Sequence, residues 1–351
     1  MRGGHGRRRE LLRGALMQAA IYGFEGLELS AAERRFFADA KPAGYILFKR
    51  NIATREQLRR LTDSLRDLEG HDGVPILIDQ EGGRVARMRP PEWHAFPSGE
   101  QFDRLYQLAP SSAIEAALVN ARALGLMLHE VGINVDCLPM LDVRQRGATD
   151  IVGDRALGSE PMQVAALGRS ILDGLASAGV LGVIKHIPGH GRALLDSHHA
   201  LPVVDSGEDE LAIDLEPFER LRDAAMGMTS HLLYTHWDAE RPASQSPIII
   251  HDIIRGRIGF DGFLMSDDIG MEALAGDHGA RAKACVEAGC DVALHCDGKM
   301  ANMMSVAKAV PALSDEGEAR LARAMAMRFT PEDGLDYAEA VAKRDALLAL
   351  V

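Results

Sequence analysis

The sequence predicts an α/β protein, a single-domain (β/α)8 TIM barrel, and three observations carry that expectation. Eight short, nearly continuous apolar runs recur along the chain, as parallel strands covered on both faces require. Segments with helical spacing separate most of them, the alternation that builds a parallel sheet. Charged and imidazole side chains begin where the apolar runs stop. A doubly wound open sheet is the competing fold. It calls for a phosphate-binding GxGxxG after the first strand, and Gly23-Phe24-Glu25-Gly26 does not supply one. No linker rich in Pro, Gly or Ser divides residues 17–351, which are read as one domain.

Taken in order, the runs are 19–23, 44–48, 75–78, 133–138, 180–184, 225–229, 262–265 and 291–295. Between the second and third, residues 54–68 place Leu58, Leu61 and Leu65 on one face with charges opposite, a helical pattern. Residues 111–131 and 162–178 read as long helices on either side of the fourth run. Helices are also expected at 216–224 and 279–288, and further helices close the chain.

Composition narrows the class. The 351 residues are 47% hydrophobic, enough for a large core, and the formal net charge is −12. An acidic chain argues against nucleic acid as a partner. No apolar run reaches the length of a membrane span. Cys137, Cys285, Cys290 and Cys296 show no CxxC pairing, and three lie in or beside apolar runs. That is not a disulfide framework, and a cytoplasmic location is expected. Residues 1–16 hold Arg2, Arg7, Arg8, Arg9 and Arg13 among glycines. Arg13 and Gly14 interrupt the apolar stretch a signal peptide would need. This segment is expected to be a disordered extension, and a chain starting at Met17 is expected to fold and stay active.

The strand ends gather unusual chemistry. Asp79, Glu81, Arg84 and Arg87 follow the third run, and Asp142 and Arg155 the fourth. Lys185, His186, Asp196 and His198 follow the fifth, His231 the sixth, and Asp267 and Asp268 the seventh. In a closed barrel these ends converge on one mouth, where such groups are expensive to desolvate without a ligand or one another. A polar loop with surface histidines is the plain alternative for 185–198, and the recurrence of the pattern at other strand ends argues against it. Taken singly, Arg84 or Asp142 is as readily a structural ion pair.

Three chemistries could use this set. His186 and His190 are four apart, a metal-ligand spacing only on a helix, and Pro188-Gly189 between them excludes one. No metal or cofactor is therefore expected. Phosphate binding by Lys185 and the nearby glycines is opposed by the surrounding carboxylates. Glycoside hydrolysis suits the inventory best, since it needs a carboxylate at the anomeric carbon, a proton donor, and charged groups to hold sugar hydroxyls.

KHIPGHG (185–191), DSH (196–198), DQEGGRVAR (79–87), GDRALG (153–158), ILFKRN (46–51) and LMSDDIGMEAL (264–274) together resemble glycoside hydrolase family 3. Within it they are similar to the bacterial β-N-acetylglucosaminidase branch. The resemblance spans about residues 18 to 300, with the motifs in the right order at five strand ends. It implies a catalytic barrel without the second α/β domain of larger relatives. By this resemblance Asp267 matches the nucleophile, and Asp268 beside it is structural. His198 matches the general acid/base and Asp196 the carboxylate that orients it. Lys185, His186, Asp79, Arg87 and Arg155 match positions that bind the N-acetylglucosamine ring. His190 and His199 match no catalytic position. Ile187 stands where this branch often has Phe, a conservative departure.

The implied dyad makes physical sense. Histidine titrates near neutrality, and an adjacent carboxylate fixes its tautomer and favours its protonated form. Gly189 and Gly191 would let the loop carrying it move. The expected activity is a retaining exo-β-N-acetylglucosaminidase acting on N-acetylglucosaminyl-1,6-anhydro-muropeptides in peptidoglycan recycling. Two rivals stand: a phosphorylase of the same fold, and a non-catalytic barrel that binds muropeptides.

Overall fold

The structure is a computed structural model and describes residues 16–145, 147, 150–194, 201–327 and 336–351. The 1–16 segment, apart from Leu16, and the 196–198 motif lie outside the described residues. Eight strands close into a barrel: β1 (Gln18–Tyr22), β2 (Pro42–Leu47), β3 (Ile76–Ile78), β4 (Val135–Asp136), β5 (Leu181–Ile187), β6 (Met226–Thr229), β7 (Phe263–Asp268) and β8 (Val292–His295). Each pairs in parallel with its sequence neighbours, and β8 closes on β1 through the register Ala20–Ala293 and Tyr22–His295. The (β/α)8 expectation holds, and every one of the eight apolar runs overlaps a barrel strand.

Alternation along the strands makes two separate cores. Ala19, Ile21, Ile46, Leu77, Val183, Met228, Met265 and Leu294 point inward and fill the barrel. Tyr22, Tyr45, Leu47, Ile76, Ile78 and Ile184 point outward and pack beneath the helices. Leu313, Leu321 and Ala324 join the inner cluster. The last two belong to the helix Asp315–Ala326, which plugs the barrel at the end away from the polar cluster.

The helices are α1 (Ala31–Ala40), α2 (Arg55–Glu69), α3 (Gly99–Leu108), α4 (Pro110–Glu130), α5 (Pro161–Ser177), α6 (Glu208–Arg220), α7 (His278–Ala288), α8 (Met300–Ala309), α9 (Asp315–Ala326) and α10 (Tyr337–Leu348). A π-helical segment runs over Ile249–Arg257. Helix α1, between the first two strands, is absent from the sequence expectation. Its signal is the capping box, in which the Ser30 hydroxyl accepts from the Glu33 amide while the Glu33 carboxylate accepts from the Ser30 amide.

Two boundaries differ from expectation in ways that matter. Helix α6 begins at Glu208 and ends at Arg220, instead of spanning 216–224. Glu208, Asp209 and Glu210 occupy its first turn, where the helix dipole favours carboxylates, and Pro217 is held inside the helix. Strand β5 runs on to Ile187, so Lys185 and His186 belong to the strand itself. They are therefore fixed by ladder hydrogen bonds and packing, unlike side chains on a loop.

Candidate active site

The polar strand ends form a charged network inside the barrel mouth. Lys185 is its centre: its side chain is only 2% exposed, with Nζ 3.0 Å from Asp79 Oδ1 and 2.6 Å from Glu81 Oε1. Arg155 donates to the same Glu81 carboxylate through two nitrogens, at 2.8 and 2.7 Å. Arg87 donates to Asp79 Oδ2 at 3.1 Å. One buried and one half-buried carboxylate thus face three cations. Burial alone would raise the pKa values of Asp79 and Glu81, yet both lie below the usual carboxylate range because Lys185 and the two arginines favour the charged form. Lys185 is held above its ordinary value by the same pair, against the opposite pull of burial.

A second carboxylate organises the histidines. Asp142, in the loop after β4, is fully buried and accepts from the His186 ring at 2.7 Å and from the His186 and His190 amides at 3.2 and 2.6 Å. Burial pushes its pKa up, but these contacts bring it below the ordinary value. The spacing of His186 and His190 is that of a strand followed by a turn, which leaves the rings edge to face at 5.6 Å.

Asp267 enters from the facing wall, near the end of β7. One carboxylate oxygen accepts from the Asp268 amide at 2.8 Å. Burial opposes its ionisation, but the His186 ring, that amide and Lys185 hold it below the usual carboxylate range. His231, at the end of β6, is fully buried and has its pKa lowered by burial. The Asp268 carbonyl, 3.1 Å from Nε2, can only accept. The neutral ring therefore donates there from Nε2 and accepts the Ser244 hydroxyl at Nδ1, at 2.6 Å. His231 thus anchors the turn that carries Asp267 through its backbone. The Asp268 side chain accepts from the Gly270 and Cys296 amides at 2.9 and 3.2 Å, tying β7 to β8.

A pocket of about 130 Å³, open to solvent, lies among these groups. Asp79, Arg87, Arg155, His186 and Asp267 all line it, together with apolar Phe48, Val152, Met228, Met271 and Leu294. A ring with polar edges and apolar faces matches that mixture. Lys185 sits behind the wall, acting on Asp79 and Glu81. Asp196 and His198 lie outside the described residues. The chain that leads to them is firmly held: Tyr234 donates to the Gly189 carbonyl at 2.6 Å, and Arg192 pairs with Asp214 at 2.6 Å.

Sequence reasoning named Glu81 only as one of the strand-end carboxylates and gave it no site role, whereas it joins Lys185 to Arg155. The available signal was its place between Asp79 and Arg84 in a run ending a strand. Arg84, considered with it, turns away to Asp154 at 2.9 Å and is an ion pair at the rim. Asp142 is buried structure that orients His186.

The comparisons with known proteins agree with the barrel fold. Residues 13–327 match the family model described as the glycosyl hydrolase family 3 N terminal domain. A beta-hexosaminidase of Aromatoleum aromaticum is 37% identical over 312 residues, covering 88% of this chain and 86% of the relative. One from Methylococcus capsulatus is 39% identical over 291 residues, covering 79% and 82%. The crystal structure of native NagZ from Neisseria gonorrhoeae superposes with a TM-score of 0.84 at 29% identity, covering 95% of this chain and 98% of that one.

Two predictions follow from the charge network. Glu81→Ala leaves Lys185 and Arg155 buried without their shared partner, and should cost about 3–5 kcal/mol of unfolding free energy. Chemical denaturation measures it, and a loss under about 1 kcal/mol would mean the network is solvent-screened. Burial also lowers the His190 pKa from 6.5 to about 4. The unfolded chain takes up that proton below about pH 6.5 and the folded protein only near pH 4, so stability falls as pH falls through that window. Melting temperatures from pH 7 to 4.5 should show this decline, and His190→Gln should make it shallower.

From its sequence motifs, its barrel and these relatives, the chain belongs to glycoside hydrolase family 3, as a glycoside hydrolase of the β-N-acetylhexosaminidase type.

Proposed function

We propose that this enzyme removes a terminal β-linked N-acetylglucosamine with retention of configuration, through a covalent intermediate on Asp267. The observation that carries the reading is the Asp267 carboxylate, held ionised and facing the same pocket as Asp79, Arg87, Arg155 and His186. In the first step Asp267 attacks the anomeric carbon as the glycosidic bond breaks, and the leaving oxygen takes a proton from His198. In the second, His198 removes a proton from water, the water oxygen attacks the same carbon, and the Asp267 carboxylate leaves. Asp196 orients and charges the imidazole. Asp79, Arg87, Arg155 and His186 hold sugar hydroxyls, and the apolar lining meets the ring face and the acetamido methyl.

The natural substrate on this reading is an N-acetylglucosaminyl-1,6-anhydro-muropeptide, released during cell-wall recycling in the cytoplasm. Two observations are compatible with that setting. All four cysteines are buried and free, and no helix among the described residues is long and apolar enough to cross a membrane. Support for water over phosphate as acceptor comes from charge. Lys185, Arg155 and Arg87 are each committed to Asp79 or Glu81, which leaves little net positive charge for a phosphate ion. A phosphate-dependent rise in turnover with N-acetylglucosamine 1-phosphate as product would favour the phosphorylase. Absence of turnover on any N-acetylglucosaminide would favour the binding-only barrel.

Variants separate the two catalytic roles. Asp267→Ala should lose nearly all turnover on every substrate. On an activated aryl glycoside, His198→Ala should release a burst of phenol and then stall, with azide restoring turnover because it needs no base. Asp196→Ala should show a milder form. On a disaccharide, His198→Ala should be slow from the start, and hydrolysis of that disaccharide at the wild-type rate would refute the dyad.

A further inference from the structure

A second group of metal-competent side chains lies behind the wall of the catalytic pocket. His295 ends β8 and Asp297 follows two residues later, while His278 opens α7. Along β8, Leu294 and Cys296 face the pocket. Alternation therefore turns His295 to the opposite side, toward the helices. There one ligand atom from each of His278, His295 and Asp297 lies within 4.8 Å of the others. His295 Nε2 is 3.2 Å from Asp297 Oδ1, and His278 Nε2 is 4.0 Å from Asp297 Oδ2. The two imidazole rings stand edge to face, 5.2 Å apart.

The second observation is what these rings lack. His295 is wholly buried, and among the described residues neither of its ring nitrogens makes a hydrogen bond of good geometry, despite the short contact to Asp297. Among the described residues this buried imidazole has only the Asp297 carboxylate beside Nε2 and no hydrogen-bond partner at Nδ1, and a metal ion taken by one ring nitrogen would offset part of that desolvation cost. Asp297 is prepared in the opposite sense. The Lys299 amide donates to Oδ1 at 2.8 Å and the Asn302 side chain to Oδ2 at 2.5 Å, which fixes the carboxylate plane. His278 and Asp297 remain about one-fifth exposed and give access from solvent.

We infer that His278, His295 and Asp297 form a binding site for a divalent transition-metal ion of the zinc class, with water as its fourth ligand. Two imidazoles and one carboxylate suit zinc and its neighbours and are poorly suited to magnesium or calcium. Tetrahedral coordination at about 2.1 Å requires ligand atoms about 3.4 Å apart. His295 and Asp297 lie near that spacing at 3.2 Å, and His278, whose ligand atom is within 4.8 Å of the other two, can close on them by a side-chain adjustment open to a partly exposed residue at a helix start. The site is structural, since none of the three residues lines the pocket. The ion would clamp the start of α7 to the end of β8. The next residue, Cys296, donates its amide to Asp268, so the clamp supports the turn that carries Asp267. The sequence reading considered only His186 and His190 as ligands. His278 and His295 are 17 residues apart by numbering, a separation that carries no ligand signature.

The test is zinc binding to the full chain after chelator stripping, at neutral pH, with N-acetylglucosamine present to occupy the catalytic pocket. Calorimetric titration with zinc chloride should give one equivalent assigned to this site and a higher melting temperature. In His278→Ala, and separately in Asp297→Asn, the stoichiometry should fall by one or that affinity should weaken at least about 10-fold, with the zinc-induced rise in melting temperature lost. Both residues are partly exposed, so the metal-free variants should melt close to the wild type. Hydrolysis by the stripped wild-type protein should persist. Zinc binding of unchanged stoichiometry and affinity in both variants, or no binding by the wild type, would overturn the proposal.

Discussion

The ammonium of Lys185, buried between Asp79 and Glu81, is the contact on which the mouth of this barrel depends. A lone lysine at that depth would lose its charge, and two adjacent carboxylates without it would not both ionise. Together they remain charged, and Arg155 and Arg87 complete the balance from two further segments of chain. The network fixes the relative positions of the ends of β3 and β5 and of the turn at Arg155. Its members that line the pocket present their remaining lone pairs and donors to a ligand without rearrangement.

The opposite wall is built on a different device. Asp267 keeps its charge through the His186 ring, one backbone amide and Lys185, and its turn is held by His231. His186 is in turn held by Asp142, and His231 by Ser244 and the Asp268 carbonyl. The two rings near Asp267 are therefore each oriented by a further buried partner, the kind of arrangement a preorganised site has. The same logic links the proposed metal site to the chemistry only indirectly, through Cys296 and Asp268.

Much of this was legible in the sequence. The eight strands could be read because a strand buried on both faces writes itself as an unbroken apolar run, while Asp79, Arg87, Arg155, Lys185, His186 and Asp267 were singled out from the polar groups beyond those runs by the family motifs they match. Other features were hidden for physical reasons. Glu81 gains its role from Lys185, 104 positions away by numbering, and from Arg155, a juxtaposition that only the closed barrel creates. The extent of β5 was underestimated because Lys185 and His186 are polar, and polar residues in a strand are tolerated only where partners such as Asp79 and Asp142 await them. Helix α6 was displaced because Pro217 reads as a boundary, while its true start is set by three carboxylates at Glu208, Asp209 and Glu210.

The central claim is that the Asp267 carboxylate forms the covalent bond to the sugar. Its most direct measurement is mass spectrometry of the enzyme after reaction with a fluorinated N-acetylglucosamine donor that slows release of the intermediate. The predicted result is one added sugar per chain, mapped to the peptide containing Asp267 and absent from Asp267→Ala. A sugar mapped to any other residue, or an inverted product with no adduct, would contradict the account.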